Sequence, residues 1–459
     1  MVASIDIGTS YSSICLKNGE DKAKPVETST GISIYGGKYS LPSAVFVEEG
    51  GKVLVGQAAM NSRKKKPQNF RSEFKRDLGQ NIPIVLGDRS FLPEELYTEL
   101  FRHMKGCAEK GGNGTVEKAY ITYPASFGKD KREKIRQAAK NAGLFDVELV
   151  DEPTAAAMCC RAQSSLEDGD VLLVYDFGGG TFDAALIRYA GGSYEALAPA
   201  VGIEHCGGID IDRAIYADMI SKVDGETLRQ LSANKTNKLR FEGQLAELAV
   251  KVKHHLSSAE RAEEAIPIGF DILDYEIGRD KLDGMIAGMV SQTVDCCGRI
   301  LKNAGMTVKD VSRILMVGGT SRVPLVQDMV RRFADGTPVH ADVDPDLAVA
   351  IGALEKLYEE WETFVQCKRA AERGNVRAQY ELGDMYYKGN EVDRNYGEAM
   401  EWYRKAAEQG DAVAQNNLGV MYHNGLGAAR DNEEALKWYR KAAEQGYAAA
   451  QENLNRILH

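Results

Sequence analysis

The chain has 459 residues and a net charge of −10, a length that suits about two to four domains. With 44% hydrophobic and 27% charged residues it has ordinary globular usage, which excludes a disordered or fibrous chain. Lys plus Arg number 57 against 67 Asp plus Glu, and the longest basic block is Arg63 to Lys66. Nucleic acid is therefore not an expected partner, and that block reads as solvated charge in a surface loop. No apolar run reaches the ~18–20 residues of a membrane span. The N-terminus lacks a charged stretch followed by an apolar one, and the eight cysteines show no CxxC or Cys/His metal spacing. A cytoplasmic protein with buried thiols and no membrane attachment is expected.

In chain order, SIDIGTSYS (4–12) predicts an apolar strand ending in Asp6, a Gly turn with Thr9, then a second strand. AYITYPASF (119–127) predicts a strand that leads through a helix to VELVDEPTAAA (147–157). LVYDFGGGTFDAALI (173–187) repeats the first design around Asp176 and Thr181. RILMVGGTSRVPLVQ (313–327), followed by a helix and HADVDPDLAVAIGAL (340–354), repeats the second. The two halves imply duplicated α/β lobes facing each other across a cleft, about 1–165 and 166–357. After residue 357 the period changes. NVRAQYELGDMYYKGNEVDRNYGEAMEWYRKAAEQG (375–410) is followed by DAVAQNNLGVMYHNGLGAARDNEEALKWYRKAAEQG (411–446), and half units at 368–374 and 448–458 flank them. Each unit predicts a helical hairpin. Such hairpins bury their apolar faces only against neighbours and offer a surface for a protein or peptide, so 358–459 reads as an all-α repeat array.

A Gly-rich turn between strands exposes backbone N–H groups that accept phosphate oxygens. Gly8, Thr9, Ser10 and Tyr11 form one such turn, and Gly178, Gly179, Gly180 and Thr181 the other. Asp6 and Asp176 at the turn entrances suit Mg²⁺, which one or two carboxylates hold together with phosphates. A Mg-nucleotide is the ligand these turns imply. Two other phosphate motifs fail. GISIYGGKYS (31–40) has Ile32 where a P-loop needs its first Gly, and Gly178-Gly179-Gly180 leads into a strand rather than the helix of a dinucleotide fingerprint.

The stretches IDIGTSYS, YDFGGGTFDAAL, DEPTAAA, GGIDID (207–212) and MVGGTSRVPLVQ resemble the phosphate, connecting and adenosine motifs of the 70-kDa heat-shock protein ATPase domain. The likeness runs over residues 1 to about 357 in the family's order, and the 36-residue units resemble Sel-type tetratricopeptide-like repeats. It implies an actin-like, ribonuclease H-like two-lobe ATPase followed by the repeats. Mg-dependent ATP binding, slow hydrolysis to ADP and phosphate, and a chaperone-like coupling to a protein at the repeats follow from it, with co-chaperones as candidate further partners. A nucleotide-sensing scaffold with little hydrolysis is the alternative.

By the same resemblance, Thr9 and Thr181 contact the terminal phosphate or its attacking water, and Asp6 and Asp176 hold hydrated Mg²⁺. Glu152 orients water or relays a proton, and Lys75, in FKRDLG, reaches the transferred phosphoryl group. Read alone, Lys75 is a solvated lysine in a charged stretch, and Glu152 before Pro153 is an acid favoured by a helix N-terminus. On the adenosine side the likeness implicates Gly207, Gly208, Gly318, Gly319, Arg322 and Asp346. It also implicates Lys253, His254 and Ser257 on a helix expected from about Thr236 to Ser258.

The sequence departs from the family in two places. Val250 stands where an acidic ribose contact is expected and His254 where a stacking arginine is. No leucine-rich linker and β-rich peptide-binding domain follow the ATPase stretch here; LAVAIGALEKLYEEWETFVQCKRAAERG (347–374) reads as helix running into the repeats. So short an array is expected to dock on the lobes, through residues such as Trp361 and Phe364.

Overall fold

The computed structural model describes residues 1–17, 23–28, 39–112, 114–163, 166–268, 271–341, 347–389 and 394–458. Packing divides the chain into two units, Met1–Lys356 and Leu357–His459. Residues 31–38 of the GISIYGGKYS stretch (31–40) and Asp346, expected on the adenosine side, lie outside the described residues.

In the first unit, β1 (Val2–Ile7) and β2 (Tyr11–Lys17) form an antiparallel hairpin with Asp6 opposite Ser13. The chain then passes through α1 (Gln57–Ser62). β3 (Lys118–Tyr123) pairs parallel with β1, and α2 (Lys129–Asn141) carries the chain to β4 (Asp146–Asp151), parallel to β3. Next comes α3 (Glu152–Gln163). The second half repeats this plan. β5 (Val171–Phe177) and β6 (Thr181–Ala190) form the hairpin, with Asp176 opposite Asp183. β7 (Val201–Glu204) adds to the outside of β6, and β8 (Arg313–Val317) lies parallel to β5. Between them come α4 (Gly208–Ser221) and α5 (Lys235–Leu256).

The central strands are buried on both faces, as their near-continuous apolar runs demand. Each half builds its own core. One gathers Ile5, Ile14, Phe74, Leu100, Phe101 and Ile121; the other gathers Leu173, Tyr175, Phe177, Phe182, Ile215 and Val290. In both, the hairpin turn and the carboxyl end of the parallel strand open at the same sheet edge, where ligands of open α/β sheets bind.

The second unit is wholly helical over its described residues. α6 (Val376–Lys388), α7 (Tyr396–Glu408), α8 (Ala412–Asn424), α9 (Asn432–Glu444) and α10 (Ala448–Leu458) pack as successive antiparallel neighbours. Their local chemistry repeats every 36 residues. Asn375 and Asp411 cap α6 and α8 through the amides of Ala378 and Ala414, and Gly389 and Gly425 end those helices in the left-handed region that favours glycine. Gln379 and Gln415 donate back to the carbonyls of Ala371 and Ala407 at 3.0 and 2.9 Å. Gly383 and Gly419 sit where a Cβ would meet the rings of Tyr403 and Tyr439, so each helical pair closes more tightly than any larger residue permits. Ala348–Glu372 is one uninterrupted helix, and among the described residues no strand follows Val339–His340. The Trp361 side chain lies outside the described residues. Phe364 packs within the array, edge-on to Tyr386 at 5.8 Å.

The block from Arg63 to Lys66 forms an exposed turn as expected, except that Arg63 is largely covered. Arg63 closes the C-terminal end of α1 with its side chain only 16% exposed, pairs with Glu247 of α5 at 2.5 Å and donates to the Gly243 carbonyl. Lys64 reaches the same carboxylate at 3.0 Å. A carboxylate on the opposite half thus recruits Arg63 and Lys64 into a bridge between the two halves. The sequence of one half could not show this.

Of the eight cysteines six are buried, and Cys107 and Cys367 are half-buried. Burial pushes the Cys15 thiol up to about 12, so it is inert as a nucleophile.

Candidate functional site

The two hairpin turns touch. A Cβ on Gly179 or Gly180 would fall on Ser10 or Thr9 of the other turn, and one on Gly8 would fall on the Tyr11 carbonyl. Only glycine lets these backbones approach so closely. Beside the contact lies a cavity of about 190 Å³ that draws its walls from both halves of the first unit. Asp6, Gly8, Thr9, Ser10 and Tyr11 come from the first turn, and Asp176, Gly178, Gly179 and Thr181 from the second. Lys75 and Glu152 line its floor, with Gly208, Lys253, His254, Ser257, Gly318, Gly319 and Arg322 at its other end.

Gly180 and Gly207 do not line it. Gly180 backs onto Thr9 and gives its carbonyl to Arg76, whereas Gly207 packs on Gly179 and precedes α4, where the Asp210 carboxylate accepts from its amide at 2.9 Å. Both shape the wall from behind.

The floor is a crowded charge cluster. Lys75 is 7% exposed, not solvated, and its Nζ pairs with Glu152 Oε1 at 2.9 Å. Glu152 opens α3, where Asp151 accepts from the Thr154 amide. Burial foremost, then Asp6 and Asp176, raise Glu152 against the pull of Lys75. Burial also raises Asp176, with Asp183 and Asp6 adding to it. Lys75 is raised as well, because Glu152 and Asp6 outweigh its own burial. The cluster holds more acids than bases; the acids rise chiefly because burial penalises their charged forms, and the base rises because its acidic neighbours favour its charge. Thr122 Oγ1 donates to Asp6 Oδ1 at 2.6 Å and keeps that carboxylate aimed along the strand edge.

Such a surplus suits a divalent cation. Among the described residues no group of three or more His, Cys, Asp or Glu side chains makes a cage for one. The donor set of separated carboxylates beside phosphate-accepting turns fits Mg²⁺, which keeps most of its waters.

Asp183 was missed in the sequence. It is 2% exposed, faces Asp176 across the hairpin register, and burial with Glu152 pushes it up to about 7. The signal was present as two acids equally spaced about the turn in DFGGGTFD. Arg76 was missed too: its guanidinium donates to the Gly180 carbonyl at 2.7 Å and pairs with Asp210 at 2.6 Å.

At the other end Lys253 is tied to Asp212 at 2.9 Å and to the Gly208 carbonyl at 3.0 Å, so it braces the start of α4. The Ser257 hydroxyl donates to its own helix at the Lys253 carbonyl. His254 sits at the rim. Partial burial first, then the cations Lys253 and Arg322, hold its imidazole down to about 4, so it is neutral near pH 7. Gly318, at φ +79°, lies against the Phe177 backbone and lets β8 close on β5.

Residues 80–355 match the family model for Hsp70 protein. That stretch is more than half of the chain and takes in Glu152, the second turn and the cavity's far end from Lys253 to Arg322. The chain belongs to the Hsp70 family. Residues 376–411 and 412–447 each match the Sel1 repeat. An Hsp70 domain implies ATP binding, and Sel1 repeats are associated with protein interaction. The first turn and Lys75 precede the matched stretch; their place in the cavity comes from the fold. Among the described residues no helix is long and apolar enough to cross a membrane.

Proposed function

We propose that the chain binds Mg-ATP between the two turns, hydrolyses it slowly to ADP and phosphate, and couples that cycle to a protein or peptide bound at the repeats. The observation that carries this reading is the apposition of two phosphate-accepting turns over the buried Lys75–Glu152 pair. The cavity-lining backbones of Gly8 to Tyr11 and of Gly178, Gly179 and Thr181 flank the phosphates, and the Thr9 and Thr181 hydroxyls flank the terminal one. Asp6 and Asp176 hold Mg²⁺ through its waters; the ion supplies charge neutralisation on the phosphate oxygens.

In the hydrolytic step the water oxygen bonds to the terminal phosphorus, the bridging P–O bond breaks, and ADP leaves with the electron pair. Glu152 orients the water and, when ionised against Lys75, takes its proton. Lys75 places its charge on the equatorial oxygens. On the base side Gly319 and Arg322 line the adenosine end, and Asp346 belongs to the same proposal.

A second reading, a scaffold that binds ATP with little hydrolysis, draws on the neutral His254 and the apolar Val250. Titration calorimetry with Mg²⁺ tests what both share. Binding of one ATP or ADP per chain is expected, and no heat with either nucleotide refutes both. A cytoplasmic setting and co-chaperone control remain part of the proposal.

A further inference from the structure

A second, narrower cavity abuts the first, and Lys75 and Thr181 line both. Its other walls are Arg76, Phe127, Lys131, Glu204 and His205, and at about 10 Å³ it has room for roughly one water. The two cavities differ in charge. The first sets the carboxyls of Asp6, Glu152 and Asp176 beside the single cation Lys75 at its turn end, with Lys253 and Arg322 at its other end. The second sets Lys75, Arg76 and Lys131 against the single carboxylate of Glu204. A phosphate dianion formed beside those three carboxyls is attracted to the net positive second cavity.

The outer wall is held by one ion pair. Glu204 stands opposite Thr181 in the β6–β7 register, so both side chains share a face of that ribbon. From the other half, Lys131 near the start of α2 reaches Glu204 at 3.2 Å, its ammonium over the Phe127 ring at 4.7 Å. With 27% and 62% of these two side chains exposed, the pair is of the weak, solvent-screened kind. Arg76 is fixed by Gly180 and Asp210 and stays as a cationic wall.

Resting on the ATPase reading above, we propose that the second cavity is the exit for inorganic phosphate, gated by the Lys131–Glu204 pair. Phosphate leaves past Thr181 and Lys131 while ADP still fills the first cavity. At its present width the passage admits phosphate only after the pair parts, so release lags behind cleavage.

The test uses the full chain in a single turnover of Mg-ATP, with cleavage followed by acid quench and free phosphate by a fluorescent phosphate sensor. Lys131→Gln leaves an unopposed carboxylate in the path, and release slows by about threefold to tenfold at low salt. Glu204→Gln removes both the gate and the repulsion, and release speeds up until it tracks cleavage. The double variant, with neither the gate nor the opposing carboxylate, also releases phosphate without the lag. Both side chains lie at the surface, and thermal unfolding confirms that the variants fold. Release unchanged in both single variants, or shifted the same way in both, overturns the exit while leaving the ATPase reading intact. Absence of cleavage in the wild-type chain overturns both.

Discussion

At the floor of the cleft Asp6, Glu152, Asp176 and Asp183 share one buried cation, Lys75. The raised carboxyls of Glu152, Asp176 and Asp183 keep protons in the folded chain that the unfolded chain has lost above about pH 4. Between that pH and about 7–8 the folded state binds more protons, so stability falls as pH rises through this window. The nucleotide-free first unit is predicted to melt several degrees higher at pH 6 than at pH 8, and Asp183→Asn to flatten the slope; equal slopes for both proteins contradict the cluster. His254 gives a second prediction at this scale. As a neutral ring between Lys253 and Arg322 it offers the base no charge, so His254→Arg is expected to tighten ATP binding about threefold or more in calorimetry. Unchanged affinity would show that the base is held elsewhere. Residue-level legibility was uneven. Without the resemblance Lys75 reads as solvated, because a charged stretch says nothing of the lobe that covers it. Asp183 was passed over because its partner Asp176 lies across a hairpin register that only the folded turn displays.

Among the elements, the hairpins and the repeats carry most of the specificity. In the repeats, Gly419 approaches the Tyr439 ring and the Ala435 carbonyl so closely that a Cβ would stand 2.7 and 3.2 Å from them. Gly419→Ala is expected to cost about 1–3 kcal/mol, read as faster hydrogen exchange in α8 and α9 with ATP binding unchanged. Normal protection in those helices contradicts the packing account. These elements were legible in advance because their patterns are local: a strand, Asp, Gly turn and strand, or a 36-residue period. The helix expected from about Thr236 to Ser258 runs over Lys235–Leu256. What local pattern could not carry was contact between distant elements. Arg63 and Lys64 bind Glu247 on α5, and Arg76 binds the second turn; neither link leaves a spacing signature. For the same reason the glycines divide only in the fold, Gly8 and Gly179 lining the cavity and Gly180 and Gly207 buttressing it.

On the scale of the molecule, a duplicated ATPase unit and a helical array stand on one chain. The central claim is that the apposed turns and the Lys75–Glu152 floor form a working hydrolytic centre. Single-turnover hydrolysis of Mg-ATP by the full chain, beside Glu152→Ala and Thr181→Ala, tests it most directly. The account predicts measurable cleavage that falls about 10²-fold or more in Glu152→Ala and clearly in Thr181→Ala, with nucleotide binding retained in both. Tight binding without cleavage in the wild-type chain, or cleavage untouched by either substitution, would contradict it.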